Sequence, residues 1–180
     1  FTYDGETRLT AAQTDAGGVF GGETETYTLD AMGNRIAHSR VSGAWTYDAN
    51  NRLTQRGVGA SATTYQYDAA GNLTQKTEPG GVVTRYRYDT QNRLIEVADG
   101  SDRPTARYGY DPLDRRIWKE QFRDKSGPPL AQAVRTLFLH SDEGLLSESR
   151  QAIVLNADLS VSALGEPQLV TAYGLKPDAE

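Results

Sequence analysis

The chain has 180 residues, of which 18 are glycine and none is cysteine, and a hydrophobic fraction of 37%. Disulfides and thiolate metal sites are therefore excluded, and the glycine content favours a thin, turn-rich fold over a thick helical core. The net charge of −5 argues against a nucleic-acid-binding protein, which usually carries a concentrated basic patch, and no apolar run approaches the roughly 20 residues that span a membrane.

Residues 1–117 contain six copies of a motif that is centred on an aspartate. Four of the five spacings between consecutive aspartates are 18 to 22 residues, and the first spacing is 26 residues. The extra length coincides with the glycine-rich residues 15–23, which we interpret as an enlarged loop. The six aspartates are Asp4, Asp30, Asp48, Asp68, Asp89 and Asp111.

Two columns of aromatic residues precede the aspartate. They hold 11 of the 16 aromatic residues of the chain, which scattered aromatics would not do. Side chains two residues apart lie on one face of a strand, so each copy predicts a strand with an aromatic face. Three positions before the aspartate stand Phe1, Tyr27, Trp45, Tyr65, Tyr86 and Tyr108; one position before it stand Tyr3, Leu29, Tyr47, Tyr67, Tyr88 and Tyr110.

The aspartate opens a predicted turn, because its carboxylate can accept a nearby backbone N–H. Three residues later stand residue types that tolerate a positive φ, and this pattern is typical of a type I turn followed by a left-handed residue and a bulge. Thr7 is the exception, so we expect the first turn to differ from the others or to be strained. The six residues are Thr7, Gly33, Asn51, Gly71, Asn92 and Asp114.

This turn predicts the pairing of the two strands in each copy. The aspartate would face the residue four positions later, which is arginine in four copies and Asn34 or Asn72 in two. On the aromatic face, Tyr3, Tyr47, Tyr67 and Tyr88 would then oppose Leu9, Leu53, Leu73 and Leu94. Each aromatic–aliphatic pair contributes roughly 0.2–1 kcal/mol, whereas an exposed ion pair contributes about 0–1 kcal/mol. We therefore expect the aromatic face to stabilise the sheet and the polar face to secure the register.

Further turn sequences lie between the copies, at residues 42–44, 57–60, 78–81 and 98–101. Each copy is thus predicted to be two strands and two turns, and the simplest assembly is an antiparallel meander. Beyond residue 117 we predict a loop at 124–132, a degenerate seventh strand–turn–strand unit at 136–149 around Asp142 and Gly144, and strands at 152–155 and 168–175. A polar loop is expected near 156–167. The predicted fold class is all-β.

No arrangement of residues points to catalysis. The aspartates lie in turns beside arginine or asparagine, and turn chemistry alone explains them. His38 and His140 have no partner at metal-ligand spacing, the "GGVFGG" segment lacks a phosphate-cradle motif, and a calcium site at "DGSD" (99–102) is weakly supported. The aromatic rows could stack on sugar rings, but they have cross-strand leucines to cover.

The repeated motif resembles that of the YD-repeat, or rearrangement-hotspot (Rhs), family. The matching segments are "WTYDANNRLT" (45–54), "YQYDAAGNLT" (65–74) and "YRYDTQNRLI" (86–95), with "YGYDPLDRRI" (108–117) as a looser match. In that family, long arrays of such repeats form a spiral β-sheet that closes into a hollow shell, which in bacterial members encloses a C-terminal toxin. Animal teneurins use a similar barrel at the cell surface.

The resemblance implies that residues 1–117 are six YD repeats of a shell wall and that residues 118–180 are a degenerate repeat and strand–loop tail of the same region. The chain begins inside a motif and without methionine, so we expect it to be a segment of a longer polypeptide. It would be a non-catalytic structural segment without cofactor or metal, and toxin activity or autoproteolysis would lie outside it. The alternative is a module that binds carbohydrate or protein at a cell surface.

The resemblance also implies partners and a location. The partners would be the remainder of the shell, the enclosed toxin domain, and secretion-machinery or chaperone proteins, as in polymorphic toxins and type VI secretion effectors. Nucleic acid and membrane insertion are not expected. The protein would be bacterial, made in the cytoplasm and exported as part of a secreted effector. The residues assigned to the structural repeat are Tyr3, Asp4, Tyr27, Asp30, Trp45, Tyr47, Asp48, Tyr65, Tyr67, Asp68, Gly71, Tyr86, Tyr88, Asp89, Tyr108, Tyr110 and Asp111.

Overall fold

The computed structural model describes residues 1–13, 22–41, 43–123, 129–142, 144–156 and 160–173. It is all-β and antiparallel, as the sequence predicts, and the described chain forms two compact units, residues 1–83 and 84–180. Most of the predicted enlarged loop at 15–23 and part of the predicted loop at 124–132 lie outside the described residues. None of the described helices is both long enough and apolar enough to cross a membrane.

The first unit is built from hairpins that follow one another along the chain. Its first four strands pair in sequence order, and the next four do the same. Short 3-10 turns at Gly59–Ser61 and Pro79–Gly81 occupy two of the predicted connections between copies. The strands are β1 (Thr2–Tyr3), β2 (Leu9–Gln13), β3 (Thr24–Leu29), β4 (Arg35–His38), β5 (Trp45–Tyr47), β6 (Leu53–Arg56), β7 (Thr63–Tyr67) and β8 (Leu73–Glu78).

The second unit continues the same scheme with longer strands. Strands β9 to β14 pair in sequence order, and both β15 and β16 pair with β14. The strands are β9 (Val82–Tyr88), which begins at the end of the first unit, β10 (Leu94–Asp99), β11 (Pro104–Tyr110), β12 (Arg116–Arg123), β13 (Pro129–Ser141), β14 (Gly144–Leu155), β15 (Val161–Leu164) and β16 (Gln168–Ala172).

Two predictions for the C-terminal part are corrected here. The loop predicted to end at residue 132 gives way to β13 from Pro129 onward, because Pro129 pairs with Arg123 of β12. The polar loop predicted near 156–167 contains β15, whose Val161 and Leu164 pair with the apolar end of β14. The predicted strand–turn–strand unit around Asp142 and Gly144 is confirmed as β13 and β14.

Little of the structure is fully buried. The buried hydrophobic residues of the described chain are Ala98, Ala106, Phe122, Ala133 and Ile153. Three of them, in β12, β13 and β14, form one small cluster with Leu155 and Val161 packed against it. Such a cluster is too small to stabilise 180 residues alone, so contacts between neighbouring strands must contribute much of the stability.

Strand β11 has a glycine opposite a large side chain of the neighbouring strand. Gly109 lies directly opposite Trp118 of β12, and a Cβ atom at residue 109 would overlap the indole ring. The glycine between the two tyrosines of the sixth copy therefore allows the large side chain of Trp118 to lie across the strand.

The predicted turn occurs in all six copies. The backbone N–H of the aspartate donates to the carbonyl of the residue four positions later, and the residue at the third position has a positive φ. Thr7 forms the same turn with φ 62°, so of the two outcomes expected for the first turn, a different geometry or strain, the structure has the second. A β-branched residue at positive φ is strained, which agrees with the second half of that expectation.

We predict that Asn51→Thr lowers the free energy of unfolding by about 1 kcal/mol, because it places a β-branched side chain at φ 58°. A loss of about 1 kcal/mol corresponds to a decrease of roughly 2–4 °C in the melting temperature at this chain length. The reciprocal change, Thr7→Asn, should raise stability. Urea unfolding measures both, and equal stability of Asn51→Thr and the unaltered chain would show that the turn carries no strain.

Candidate functional site

Each aspartate turn is closed by one carboxylate. In the third copy, Oδ1 of Asp48 accepts the backbone N–H groups of Asn50 and Arg52 at 2.9 and 3.0 Å, and Oδ2 accepts Nε of Arg52 at 2.7 Å. The turn of Asp89 repeats these contacts with Gln91 and Arg93. Where asparagine replaces arginine, as at Asn72, its Nδ2 donates to the carboxylate at 3.0 Å instead.

The same turn also occurs at Asp99, within the connection that the sequence predicted at residues 98–101. Asp99 accepts the backbone N–H groups of Ser101 and Arg103 and pairs with Nε of Arg103 at 3.0 Å. Its neighbour Asp102 pairs with Arg85 and Arg87. The carboxylates of the "DGSD" segment are thus engaged by arginines and backbone N–H groups, and no group of three metal-ligating side chains occurs in the described residues.

The arginine of the turn also reaches the next copy, which the sequence did not predict. Nη1 of Arg52 donates to the backbone carbonyl of Asp68 at 3.1 Å, and Nη1 of Arg93 donates to that of Asp111 at 3.1 Å. Arg8 makes the equivalent bond to Asp30 at 3.0 Å. A forward link therefore joins the turn of one copy to the start of the turn in the following copy.

The tyrosine before the aspartate makes a link in the other direction. Its hydroxyl donates to the backbone carbonyl that lies five residues after the aspartate of the preceding copy. The bonds are from Tyr47 to Arg35 at 2.7 Å, from Tyr67 to Leu53 at 2.9 Å and from Tyr110 to Leu94 at 2.9 Å. Burial raises the pKa of these three phenols, which keeps them protonated as donors.

The forward and backward links meet at the same ring. The guanidinium carbon of Arg52 lies 5.0 Å from the centre of the Tyr67 ring, and that of Arg93 lies 5.1 Å from the centre of the Tyr110 ring. A cation over an aromatic face contributes roughly 0.5–1 kcal/mol at exposed sites. The forward links from Arg52 and Arg93 thus combine a charge-assisted hydrogen bond with a cation–π contact.

The aromatic face, defined here as the side of the strands that carries the two aromatic columns, has the predicted leucine pairs. Tyr3, Tyr47, Tyr67 and Tyr88 lie opposite Leu9, Leu53, Leu73 and Leu94, as the register predicted. The other column faces basic residues that the sequence analysis missed. Four of the pairs are Tyr27–His38, Trp45–Arg56, Tyr65–Lys76 and Tyr108–Lys119.

These basic residues all stand eight positions after the aspartate, so the same alignment contained the information. Two copies depart from the rule: Val97 stands opposite Tyr86, and Ala12 stands eight positions after Asp4. A further arginine covers two rings: the guanidinium of Arg35 lies 4.4 Å from the Tyr27 ring centre and 5.7 Å from that of Trp45. The aromatic face is therefore covered by cations as well as by leucines.

The predicted site residues do not converge on a reactive centre. Each aspartate is bound within its own turn, and the tyrosines and Trp45 lie along the aromatic face beside their cross-strand partners. His38 stacks on Tyr27 at 5.2 Å, and His140 lies 3.0 Å from the backbone carbonyl of Arg116. The arrangement joins strands: Tyr27, for example, contacts His38 across the strands and donates its hydroxyl to Glu25 at 2.7 Å.

Comparison with known proteins agrees with this arrangement. The family model described as Teneurin YD-shell matches residues 1–127. The chain is 33% identical over 135 residues to toxin protein Tse5 of Pseudomonas aeruginosa, an alignment that covers 58% of this chain and 10% of that protein. It is 31% identical over 121 residues to double-stranded DNA deaminase toxin A of Burkholderia cenocepacia, which covers 66% of this chain and 8% of that protein.

A solved structure shares the fold. The Tc holotoxin pore of Photorhabdus luminescens matches 84% of this chain and 9% of its own chain, with a TM-score of 0.56 and 16% sequence identity. This likeness concerns the fold alone. The chain spans about a tenth of the length of the curated relatives named above.

We predict that Arg93→Asn destabilises the chain by about 1 kcal/mol more than Arg103→Asn. Asparagine retains the contact within the turn, as at Asn34 and Asn72, but is too short to reach Asp111 or the ring of Tyr110. Arg103 is the matched control, because its described contacts are confined to its own turn. Equal losses in urea unfolding would show that the forward link adds no stability.

The turns should also make stability depend on pH. The pKa of Asp48 and of Asp89 is lowered mainly by the backbone N–H of the arginine four residues later, and that of Asp68 mainly by the side-chain amide of Asn72. A carboxylate whose pKa is lower in the folded state than in the unfolded state stabilises the fold. This contribution is fully present above the unfolded-state pKa of about 3.9 and is lost as the pH falls through the folded-state pKa.

We therefore predict that urea stability falls below about pH 4 and that Asp68→Asn reduces the size of this fall. Asp142→Asn is the control, because Asp142 is exposed and its carboxylate accepts no hydrogen bond in the described part of the chain. An identical acid loss in Asp68→Asn and in the unaltered chain would contradict the prediction.

Proposed function

Because the chain belongs to the Teneurin YD-shell family, we propose that it is a non-catalytic structural segment of a YD-repeat shell wall and that this shell encloses a C-terminal toxin domain. The observation that carries the proposal is the pair of links that joins the third copy to the fourth, forward from Arg52 and backward from Tyr67, and that recurs between the fifth and sixth copies. Links of this kind serve to hold successive hairpins beside one another.

The toxin part of the proposal is supported by the relatives. Both curated relatives described above carry the word toxin in their names, and this chain aligns with about a tenth of each of them. An aligned segment of that size agrees with a piece of wall within a longer polypeptide. The chemistry that the names describe, such as deamination of double-stranded DNA, would then reside in another part of such a polypeptide.

The residues of the wall have distinct proposed roles. The six aspartates of the copies and Gly71 would close the hairpins, and the tyrosines of both aromatic columns, with Trp45, would hold neighbouring strands together. Residues 1–117 would form the repeat array, and residues 118–180 would continue the same wall. The partners would be the remainder of the shell, the enclosed domain, and secretion or chaperone proteins of a bacterial exporter.

The contacts on the aromatic face support carbohydrate binding less well than they support a wall role. Arginines already cover the rings of Tyr67 and Tyr110, and the hydroxyls of these tyrosines donate hydrogen bonds to backbone carbonyls of the preceding copy. A sugar would have to displace these contacts to stack on the rings. The tyrosines are therefore better explained as parts of the wall.

We predict that deletion of residues 65–85 from the full-length protein exposes the enclosed domain to protease. The deletion removes one whole copy and with it the hydroxyl of Tyr67 and the carbonyl of Asp68, which link the third copy to the fourth. Limited proteolysis followed by mass spectrometry of the toxin domain measures the effect.

Ala70→Ser is the control, because residue 70 is exposed in its turn and should leave protection intact. Full protection of the toxin domain in the deletion variant would contradict a wall role for this copy.

A further inference from the structure

A groove lies on the aromatic face of the second unit, across β12, β13 and β14. Its volume is about 450 Å³, and Arg116, Lys119, Thr136, Phe138, Glu148 and Arg150 line it. The register explains why they meet: Lys119 pairs with Thr136, which pairs with Arg150, while Phe138 pairs with Glu148. Three cations and one carboxylate thus share one depression.

The three cations lack the partners that other cations of this chain have. Ion pairs engage ten arginines elsewhere in the described chain, in a protein whose net charge is −5. Within the described residues, Arg116, Lys119 and Arg150 have no carboxylate within 4.0 Å. The groove therefore concentrates positive charge that the fold itself does not neutralise.

One of these cations is held in place by rings. The guanidinium carbon of Arg116 lies 4.7 Å from the centre of the Phe138 ring and 5.8 Å from that of Tyr108. Ring contacts of this kind use the flat face of the guanidinium and leave its N–H donors at the edge, where they can bind a carboxylate in a bidentate manner. The guanidinium of Arg116 is thus preorganised to bind an anion.

The remaining lining selects the kind of anion. Glu148 would repel a chain of closely spaced phosphates, but its carboxylate can accept a backbone N–H. Its described contact is the hydroxyl of Tyr173 at 3.3 Å. Phe138 and Thr136 add apolar and hydroxyl surface between the charges. A polypeptide with acidic side chains beside an apolar side chain matches all of these groups.

We propose that this groove binds an acidic peptide segment in which a carboxylate side chain adjoins an aromatic or aliphatic residue. The carboxylate contacts Lys119, Arg150 and Arg116, the apolar residue contacts Phe138, and a backbone N–H of the peptide donates to Glu148. The site is independent of the wall role, because it uses residues that do not form the links between copies.

The test uses the full 180-residue chain and a short fluorescein-labelled peptide with two aspartates flanking a phenylalanine. We expect measurable binding by fluorescence anisotropy, weakened by added sodium chloride through screening. Removing two charge-assisted contacts in the Lys119→Gln/Arg150→Gln variant should weaken binding roughly tenfold. Arg56→Gln is the matched control: Arg56 also faces an aromatic residue across strands, and no ion pair is described for it, but it lies in the first unit.

A second comparison keeps the protein unchanged. The same peptide with asparagine in place of aspartate should bind the unaltered chain at least tenfold more weakly. This result does not depend on whether the protein variants fold. Equal binding of the two peptides, or equal binding by the double variant and the unaltered chain, would overturn the proposal. Tighter binding of a single-stranded oligonucleotide than of the acidic peptide would overturn it as well.

Discussion

A single carboxylate in each copy determines how the rest of the hairpin is arranged. Because the aspartate binds two backbone N–H groups and the side chain four residues later, the turn has one geometry and the two strands have one register. That register brings tyrosine opposite leucine on one face and points the arginine along the turn toward the next copy. A slip of the register by one residue would move every side chain of the strand to the opposite face, and it would break both the forward and the backward link.

The scarcity of buried residues explains why such links are needed. A sheet of this kind has few side chains with relative exposure as low as that of Phe122, at 4%, so burial of apolar area cannot stabilise it alone. Hydrogen bonds and cation–π contacts between adjacent copies add stability, as between the third and fourth copies and between the fifth and sixth. Stability is then approximately a sum over neighbours, as in other repeat proteins.

The alignment of the six copies was sufficient to predict the fold class, the turn and the tyrosine–leucine register, since these depend on residues within ten positions of each other. It was not sufficient to predict the reach of Arg52 to Asp68, because that bond depends on the distance between two turns in space. A turn at residues 98–101 was predicted, but its aspartate-centred geometry was not, because no aromatic pair precedes Asp99. The basic column at Arg56, Lys76 and Lys119 stands at a fixed position in the sequence, but its pairing with the aromatic column depends on the bulge that follows each turn.

The arginines of this chain have two different roles, which depend on their position relative to the aspartate. Arginines that follow an aspartate are neutralised inside their turns, so they add links without adding free positive charge to the sheet. Arg116 stands one position further along, where the register places it on the aromatic face opposite Tyr110 and out of reach of the turn carboxylate. A shift of one residue relative to the aspartate therefore converts an arginine from a structural link into a cation that can meet a ligand, and the long strands of the second unit bring Lys119 and Arg150 beside it.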